Sequence, residues 1–398
     1  MNSVRDLTRR RLLQSLGALA ASVSLPQVLR ASPPSDARLV VVILRGALDG
    51  LAAVPPHGDP YYADLHKDLA IAPPGHADGA LSLNGTFGLH PSLSFLHERY
   101  QAGELTVFQA VSSPYRERSH FDGQNVLENG LDRPIGAADG WLNRTLRHLS
   151  GPAAEAVAVS QNVPLILRGE APVVSKSPQN TPEADEDLLS RLADLYSRDE
   201  WFAARLSEGL KTDKLAGNAG MQGAGGADRV SPVAHMTATL MRAEGGPRVA
   251  VFEASGWDTH ANQGGAKGAL AGRLQGLDKA LATLSQELGT VWRSTAVLVV
   301  TEFGRTAAMN GTHGTDHGTG GCAFLVGGAV RGGRVITDWP GLSKSALLDG
   351  RDLKPTMDLR SIFKGVLDEH LLVDKKTLAS RIFPDSNGAR PLTGLIRA

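Results

Sequence analysis

Residues 297–321 read VLVVTEFGRTAAMNGTHGTDHGTGG, and the fold follows from how this stretch begins. The β-branched run Ala296 to Val300 has the composition of a short strand buried on both faces of a parallel sheet. It ends abruptly in Thr301, Glu302 and Phe303, followed by Gly304 and Arg305 and a glycine-rich loop carrying His313, Asp316 and His317. Ligands of open α/β sheets bind beyond the carboxyl ends of the strands, so a carboxylate, a guanidinium and histidines at such an end mark a candidate site. Taken singly, each is equally a residue of a solvated loop.

Upstream, Leu270, Leu274, Leu277, Leu281, Leu284 and Leu288 recur at alternating steps of four and three, which predicts an amphipathic helix packed on a sheet. A strand (Val249 to Glu253) precedes that helix and the strand of the opening stretch follows it, an order that predicts a parallel crossover. Leu39 to Leu44 and Leu105 to Val111 read as further strands, with Val163 to Leu167 a weaker candidate. Helices are expected over Leu93 to Tyr100, His120 to Glu128, Ser231 to Arg242 and Asp358 to Leu371. The expected architecture is three-layer α/β/α with a largely parallel central sheet. One domain over 38–398, with a helical insertion at about 171–245, is the simplest organisation.

At the other end of the chain, Thr8-Arg9-Arg10-Arg11-Leu12-Leu13-Gln14 opens a moderately apolar segment to Leu25 and fits a twin-arginine export signal over residues 1–31. That segment is too short to cross a hydrocarbon core of about 30 Å comfortably, so no permanent membrane span is expected. The expected partner is the twin-arginine (Tat) export machinery, and the expected location is periplasmic or extracellular. Residues 1–31 hold five arginines and one aspartate, so the 41 basic and 41 acidic groups of the chain become 36 and 40 without them. No basic face remains to argue for nucleic acid. The lone Cys322 sits in an apolar run and reads as a buried thiol.

The chemical groups cluster where strands end. Asp49 follows the first strand; Ser119 and His120 follow the second, at the start of a predicted helix; Asp258 and His260 follow the third; Glu302, Asp316 and His317 follow the fourth. Carboxylates and imidazoles together suit divalent cations such as zinc or manganese. In an extended segment the two residues of Asp258-Thr259-His260 face the same way. Ser119 reads as an N-cap with Asp122 three residues on, and Arg116 and Arg118 beside that helix start suggest an anion site for phosphate or sulfate. No Gly-x-Gly-x-x-Gly follows the first strand, which argues against a dinucleotide enzyme, and no Gly-x-Ser-x-Gly elbow supports an acyl hydrolase.

Arg45-Gly-Ala-Leu-Asp49-Gly, Arg118-Ser-His-Phe-Asp122, Gly256-Trp-Asp-Thr-His260, Thr301-Glu-Phe-Gly-Arg-Thr306 and Asp316-His317 resemble, in order and over nearly the whole chain after residue 31, the exported bacterial family known as domain of unknown function 1501. The resemblance implies an alkaline phosphatase-like core, shared with sulfatases and metal-dependent phosphomutases. It implies a divalent metal (zinc, manganese or calcium) held by Asp49, His120, Asp258, His260, Glu302, Asp316 and His317. Ser119 would be the nucleophile, and Arg305 would neutralise the oxygens of a phosphate or sulfate ester. Two departures accompany it. Phe303 stands where the superfamily pattern has a second histidine ligand, with His120 a hypothetical replacement. The spacing Asp-x-His at 258–260 is shorter than the superfamily's Asp-x-x-x-His. Two readings follow: metal-dependent hydrolysis of anionic esters, or a non-catalytic envelope protein that binds a polymer or partner and retains the fold and one metal.

Overall fold

The structure, a computed structural model, describes residues 36–149, 155–178, 199–216 and 230–397, together with residues 192 and 196. The export segment lies outside these residues, as do much of the predicted helical insertion and the Gly- and Ala-rich run at 217–228. No helix among the described residues is long and apolar enough to cross a membrane.

A nine-stranded sheet forms the centre. Its strands are β1 (Arg38–Arg45), β4 (Leu105–Ser112), β5 (Ala156–Ala158), β6 (Val173–Ser175), β7 (Val249–Ser255), β8 (Thr295–Thr301), β9 (Gly321–Val326), β10 (Arg334–Ile336) and β11 (Met357–Asp358). The order is β10-β4-β9-β8-β1-β7-β5-β6, with β11 also on β4; a separate hairpin joins β2 (Leu81–Ser82) to β3 (Gly88–Leu89). Within the nine-stranded sheet every pairing is parallel except those that β9 makes with β4 and β8. The reversal of β9 starts it at the edge where β8 ends, so the loop between them lies wholly beyond the carboxyl ends of the parallel strands. The predicted crossover is parallel, but β7 and β8 flank β1 instead of pairing with each other.

Alternation along β1 sorts the layers. Val40, Val42 and Leu44 pack with Leu270, Leu274, Leu277 and Leu281 of the helix Ala269–Leu288. Leu39, Val41 and Ile43 pack on the other side with Trp141, Phe363 and Val366, the last two from the helix Leu359–His370. This is the period-two exchange of faces expected of a strand covered on both sides, and the result is an α/β/α sandwich. Cys322 is buried on the first of these faces, and burial pushes its thiol pKa up.

Two expectations are corrected. Val163 to Leu167 is not a strand: Leu165–Leu167 is a 3₁₀ turn, because Pro164 has no N–H to donate to a ladder and the N–H of Ile166 is taken by the Glu128 carboxylate at 2.9 Å. The range set aside for a helical insertion also contains β6, an edge strand of the main sheet paired with β5. The helices Glu200–Ala216 and Ser231–Arg242 do occur within it.

A candidate metal centre at the carboxyl edge

Three chain segments meet at this edge. After β4 the chain turns through Arg118, whose φ of 60° is in the left-handed region that a side chain rarely adopts. The helix α1 (His120–Asn129) then begins. Ser119 stands at its N-cap, but its hydroxyl does not cap the helix, so the predicted Ser119–Asp122 box is absent. Its backbone N–H donates instead to the Tyr115 hydroxyl at 3.2 Å. Helix α1 ends at Gly130, at a φ of 72°, the left-handed C-terminal position that favours glycine.

The second segment, Gly256 to His260, leaves β7. The third is the 302–320 loop, closed on itself by a bridge between Arg305 and His317 and by Gly304 N–H to Thr319 O at 3.0 Å. Gly304 is required there, since a Cβ would stand 1.9 Å from Gly320 O.

Ligand atoms of His120, Asp258 and His317 lie within 4.8 Å of one another. His260 joins them: its Nε2 is 3.0 Å from Asp258 Oδ1 and 3.0 Å from His317 Nε2. Each histidine is anchored through its other nitrogen. His120 Nδ1 meets Glu302 Oε1 at 2.8 Å, His260 Nδ1 meets Asp316 Oδ1 at 3.2 Å, and His317 Nδ1 meets the carbonyl of Arg118 at 2.9 Å. All three partners can only accept, so each Nδ1 carries the proton and, in the neutral ring, each Nε2 offers a lone pair. Three such lone pairs therefore converge beside the Asp258 carboxylate. Facing imidazole lone pairs 3.0 Å apart repel unless a proton or a cation lies between them, and the buried Nε2 of His120, 3.3 Å from Asp258 Oδ2, has no well-formed hydrogen bond among the described residues. The donor set fits a divalent cation.

The other predicted site residues have different positions. Glu302 is fully buried and stands behind His120. One carboxylate oxygen accepts from Gly46 N–H at 2.9 Å and from Gln124 Nε2 at 3.2 Å, and the other accepts from the Thr301 hydroxyl at 2.9 Å. Burial would raise its pKa, but the bond from His120 and the backbone and amide donors hold it below the ordinary carboxylate range. Asp316 likewise stands behind His260, its pKa lowered chiefly by the Asn310 amide at 2.9 Å. Asp49 is not in the cluster. It caps the short helix Gly50–Ala53, accepting from Leu51 and Ala52 N–H at 3.0 and 3.1 Å, while its second oxygen accepts from Gln263 at 2.8 Å. Burial opposes its ionisation, yet His66 and these donors lower its pKa to about 2.

Arg305 is buried and bonds Asp258 Oδ1 through Nη1. Burial pushes the Asp258 pKa up, and this guanidinium together with His260 and His120 more than offsets it. The two arginines predicted to hold an anion face elsewhere: Arg118 pairs with Asp352 at 2.8 Å, and Arg116 folds onto the carbonyls of Ser113 and Tyr115. His313 is exposed on the loop, 3.7 Å from Asp68 and away from the cluster.

Phe303 explains its own presence. Its ring stacks on His120 with centroids 5.1 Å apart and packs against His317 at 5.3 Å, giving both imidazoles an apolar wall. Gly123 on α1 permits this, because a Cβ there would come within 2.9 Å of the ring. Two groups that support the cluster, Gln124 through Glu302 and the Arg118 carbonyl directly, are not among the residues predicted from the sequence. Gln124 could have been found from its place one helical turn after His120; the Arg118 carbonyl, a backbone atom, leaves no sequence signal.

Fold and site together define an α/β protein whose open sheet carries a histidine- and aspartate-based candidate metal centre at its carboxyl edge. The chain belongs to the family described as protein of unknown function, DUF1501, whose model matches residues 36–381. The comparison with curated proteins gave no match. Among solved structures, the chain is similar to the phosphonate monoester hydrolase of Agrobacterium radiobacter, at 12% identity and a TM-score of 0.42, covering 84% of this chain and 73% of that one. It is also similar to the alkaline phosphatase of the Antarctic bacterium TAB5, at 12% identity and a TM-score of 0.35, covering 77% and 95%. A third similarity is to murine ectonucleotide pyrophosphatase/phosphodiesterase 5, at 12% identity and a TM-score of 0.28, covering 68% and 57%.

Proposed function

We propose that this protein hydrolyses phosphate or sulfate esters at a divalent cation held by Asp258, His260 and His317, with His120 as a fourth donor. The observation that carries this reading is the convergence of three Nδ1-anchored imidazoles on one carboxylate. When bound, the cation supplies Lewis-acid stabilisation of charge developing on the ester oxygens.

The chain's own residues do the rest. Glu302 and Asp316 fix two of the rings, and Arg305 fixes Asp258. Ser119, immediately before His120 and free of capping duty, is the nucleophile of this reading. Attack by its hydroxyl oxygen forms a bond to phosphorus or sulfur as the bond to the leaving oxygen breaks, and the serine proton passes to that oxygen to give the free alcohol. Water then releases the anion and restores the serine.

Elemental analysis of purified protein, followed by a screen of aryl phosphates and sulfates with and without chelator, tests the proposal. Bound metal with chelator-sensitive turnover is the expected result, and Ser119→Ala is expected to abolish turnover while metal content stays unchanged. Absence of metal overturns the reading.

Phe303, packed where a second cation's histidine would be, favours one cation per chain and so keeps a second reading in view: a cation-dependent binding protein of the cell envelope without turnover. Retained metal with no hydrolysis of any ester distinguishes it. The twin-arginine pattern at Thr8 to Gln14 supports export in either case; a reporter fused to residues 1–38 tests this through its dependence on the Tat translocase.

A further inference from the structure

The near balance of 36 basic and 40 acidic groups after residue 31 hides an uneven distribution. At the amino ends of the parallel strands, opposite the cation cluster, Arg293, Arg331, Arg334 and Arg397 gather around the turn from β9 to β10. Gly328 of that turn lies against Arg293, where a Cβ would stand 2.6 Å from the Arg293 Cα. Arg397 meets the same turn through its Nε, 2.9 Å from the Val330 carbonyl. Arg334 opens β10, and the N–H of Arg331 donates to Leu395 O at 2.8 Å, beside Arg397.

These charges are not cancelled. Arg293 and Arg331 are exposed and pair with no carboxylate among the described residues. Arg397 donates to the carbonyls of Val330 and Gly103, and Arg334 to that of Gly394; a carbonyl fixes a guanidinium without neutralising it. Burial, and next the charge of Arg331, lower the Arg334 pKa. Two carboxylates stand nearby. Glu369 offsets one charge of the four, with its oxygens taken by the N–H groups of Gly394, Leu395 and Ile396 at 2.5, 2.7 and 3.0 Å. Glu104 is committed to Arg99 at 3.0 Å.

Two observations select the partner. Guanidiniums spread over three chain segments, two of them with donors spent on carbonyls, project a field more than they chelate one small ion, which suits an extended anionic surface. The described chain also begins at this edge. Asp36 is held by Arg38 at 2.6 Å, by Arg248 at 3.1 Å and by the hydroxyl of Ser294, the neighbour of Arg293, at 3.1 Å. The apolar segment Leu12 to Leu25 therefore joins the domain beside the arginines. An apolar anchor too short to span a bilayer holds it marginally, and a basic patch next to it supplies the second attachment. We infer that the amino edge of the sheet docks on an anionic phospholipid surface. The seven residues of β8, at about 3.3 Å each, then hold the cation cluster roughly 23 Å further from the lipid, open to the aqueous side. This orientation does not depend on the proposed reaction.

The test uses the purified full chain and flotation with vesicles of phosphatidylcholine alone or mixed equally with phosphatidylglycerol. Binding to the anionic vesicles, reversed by salt, is expected. One cationic side chain near such a surface strengthens binding about five-fold, so Arg293→Gln with Arg331→Gln is expected to weaken it roughly twenty-five-fold. Arg293→Lys with Arg331→Lys, which keeps the charge, is expected to retain it, separating charge from any effect on folding. Arg168→Gln with Arg351→Gln, which removes two exposed charges at the carboxyl edge, is expected to leave binding unchanged. Equal binding to both kinds of vesicle overturns the inference, as does binding indifferent to the Arg293 and Arg331 pair. So does capture by soluble dextran sulfate without binding to anionic vesicles.

Discussion

At the scale of single residues, the candidate centre divides its acids into two kinds. Asp258 faces the converging imidazoles, whereas Glu302 and Asp316 each hold a histidine from behind. Replacing a carboxylate that orients a ligand weakens metal binding by about 10- to 100-fold. Glu302→Gln is therefore expected to lower cation affinity by that factor in a competition titration, while Asp258→Asn eliminates high-affinity binding. Asp49 belongs to neither kind. Its pKa falls from 3.8 to about 2 on folding, so the stability it contributes is complete above pH 3.8 and is lost as pH falls through 2. Asp49→Ala is expected to destabilise the fold by about 2 kcal/mol at neutral pH through the lost cap, and to flatten the acid limb of a urea-unfolding profile. Sequence position alone could not separate these roles. All seven predicted ligands follow strand ends, and only the hydrogen-bond partners show which face the cluster and which support it.

At the scale of elements, the long amphipathic helix Ala269–Leu288 and the central strands were readable because each has a period or an unbroken apolar run. The three-residue strands β5, β6 and β10 were not. Segments so short take their conformation from the neighbours they pair with, and no local pattern marks them. Leu274→Ala, at a fully buried position of that helix, is expected to cost about 3 kcal/mol in denaturant unfolding. The helix Leu359–His370 holds a less ordinary group, Lys364. It is buried, and its Nζ donates to the carbonyls of Ser386 and Ala389, each at 2.9 Å. Burial, helped by the Arg360 charge, lowers its pKa from 10.5 to about 8. Between those pH values the unfolded chain binds more protons at this site, so its contribution makes stability rise with pH. Lys364→Met is expected to remove that rise and, by leaving the two carbonyls unpaired, to destabilise the protein by about 2 kcal/mol at pH 7; unfolding curves from pH 7 to pH 10.5 measure both.

At the scale of the whole molecule, His120, Asp258 and His317 come from three separate segments, the last two 59 residues apart in sequence, and meet only because β4, β7 and β8 are strands of one sheet. A cation bound by all three stabilises only the folded chain, so chelation is expected to lower the melting temperature, and the shift should depend on free metal concentration. The reversal of β9 has another consequence. It makes residues 302–320 an excursion that leaves the sheet on β8 and returns on an adjacent strand at the same edge. Such an excursion can grow, shrink or exchange side chains while strand order and both covering layers stay as they are. Here it carries Glu302, Phe303, Arg305, Asp316 and His317, which hold, wall or support the cluster. Descendants of this fold could therefore alter or lose their chemistry within a single loop, leaving an intact scaffold as the only trace of the change.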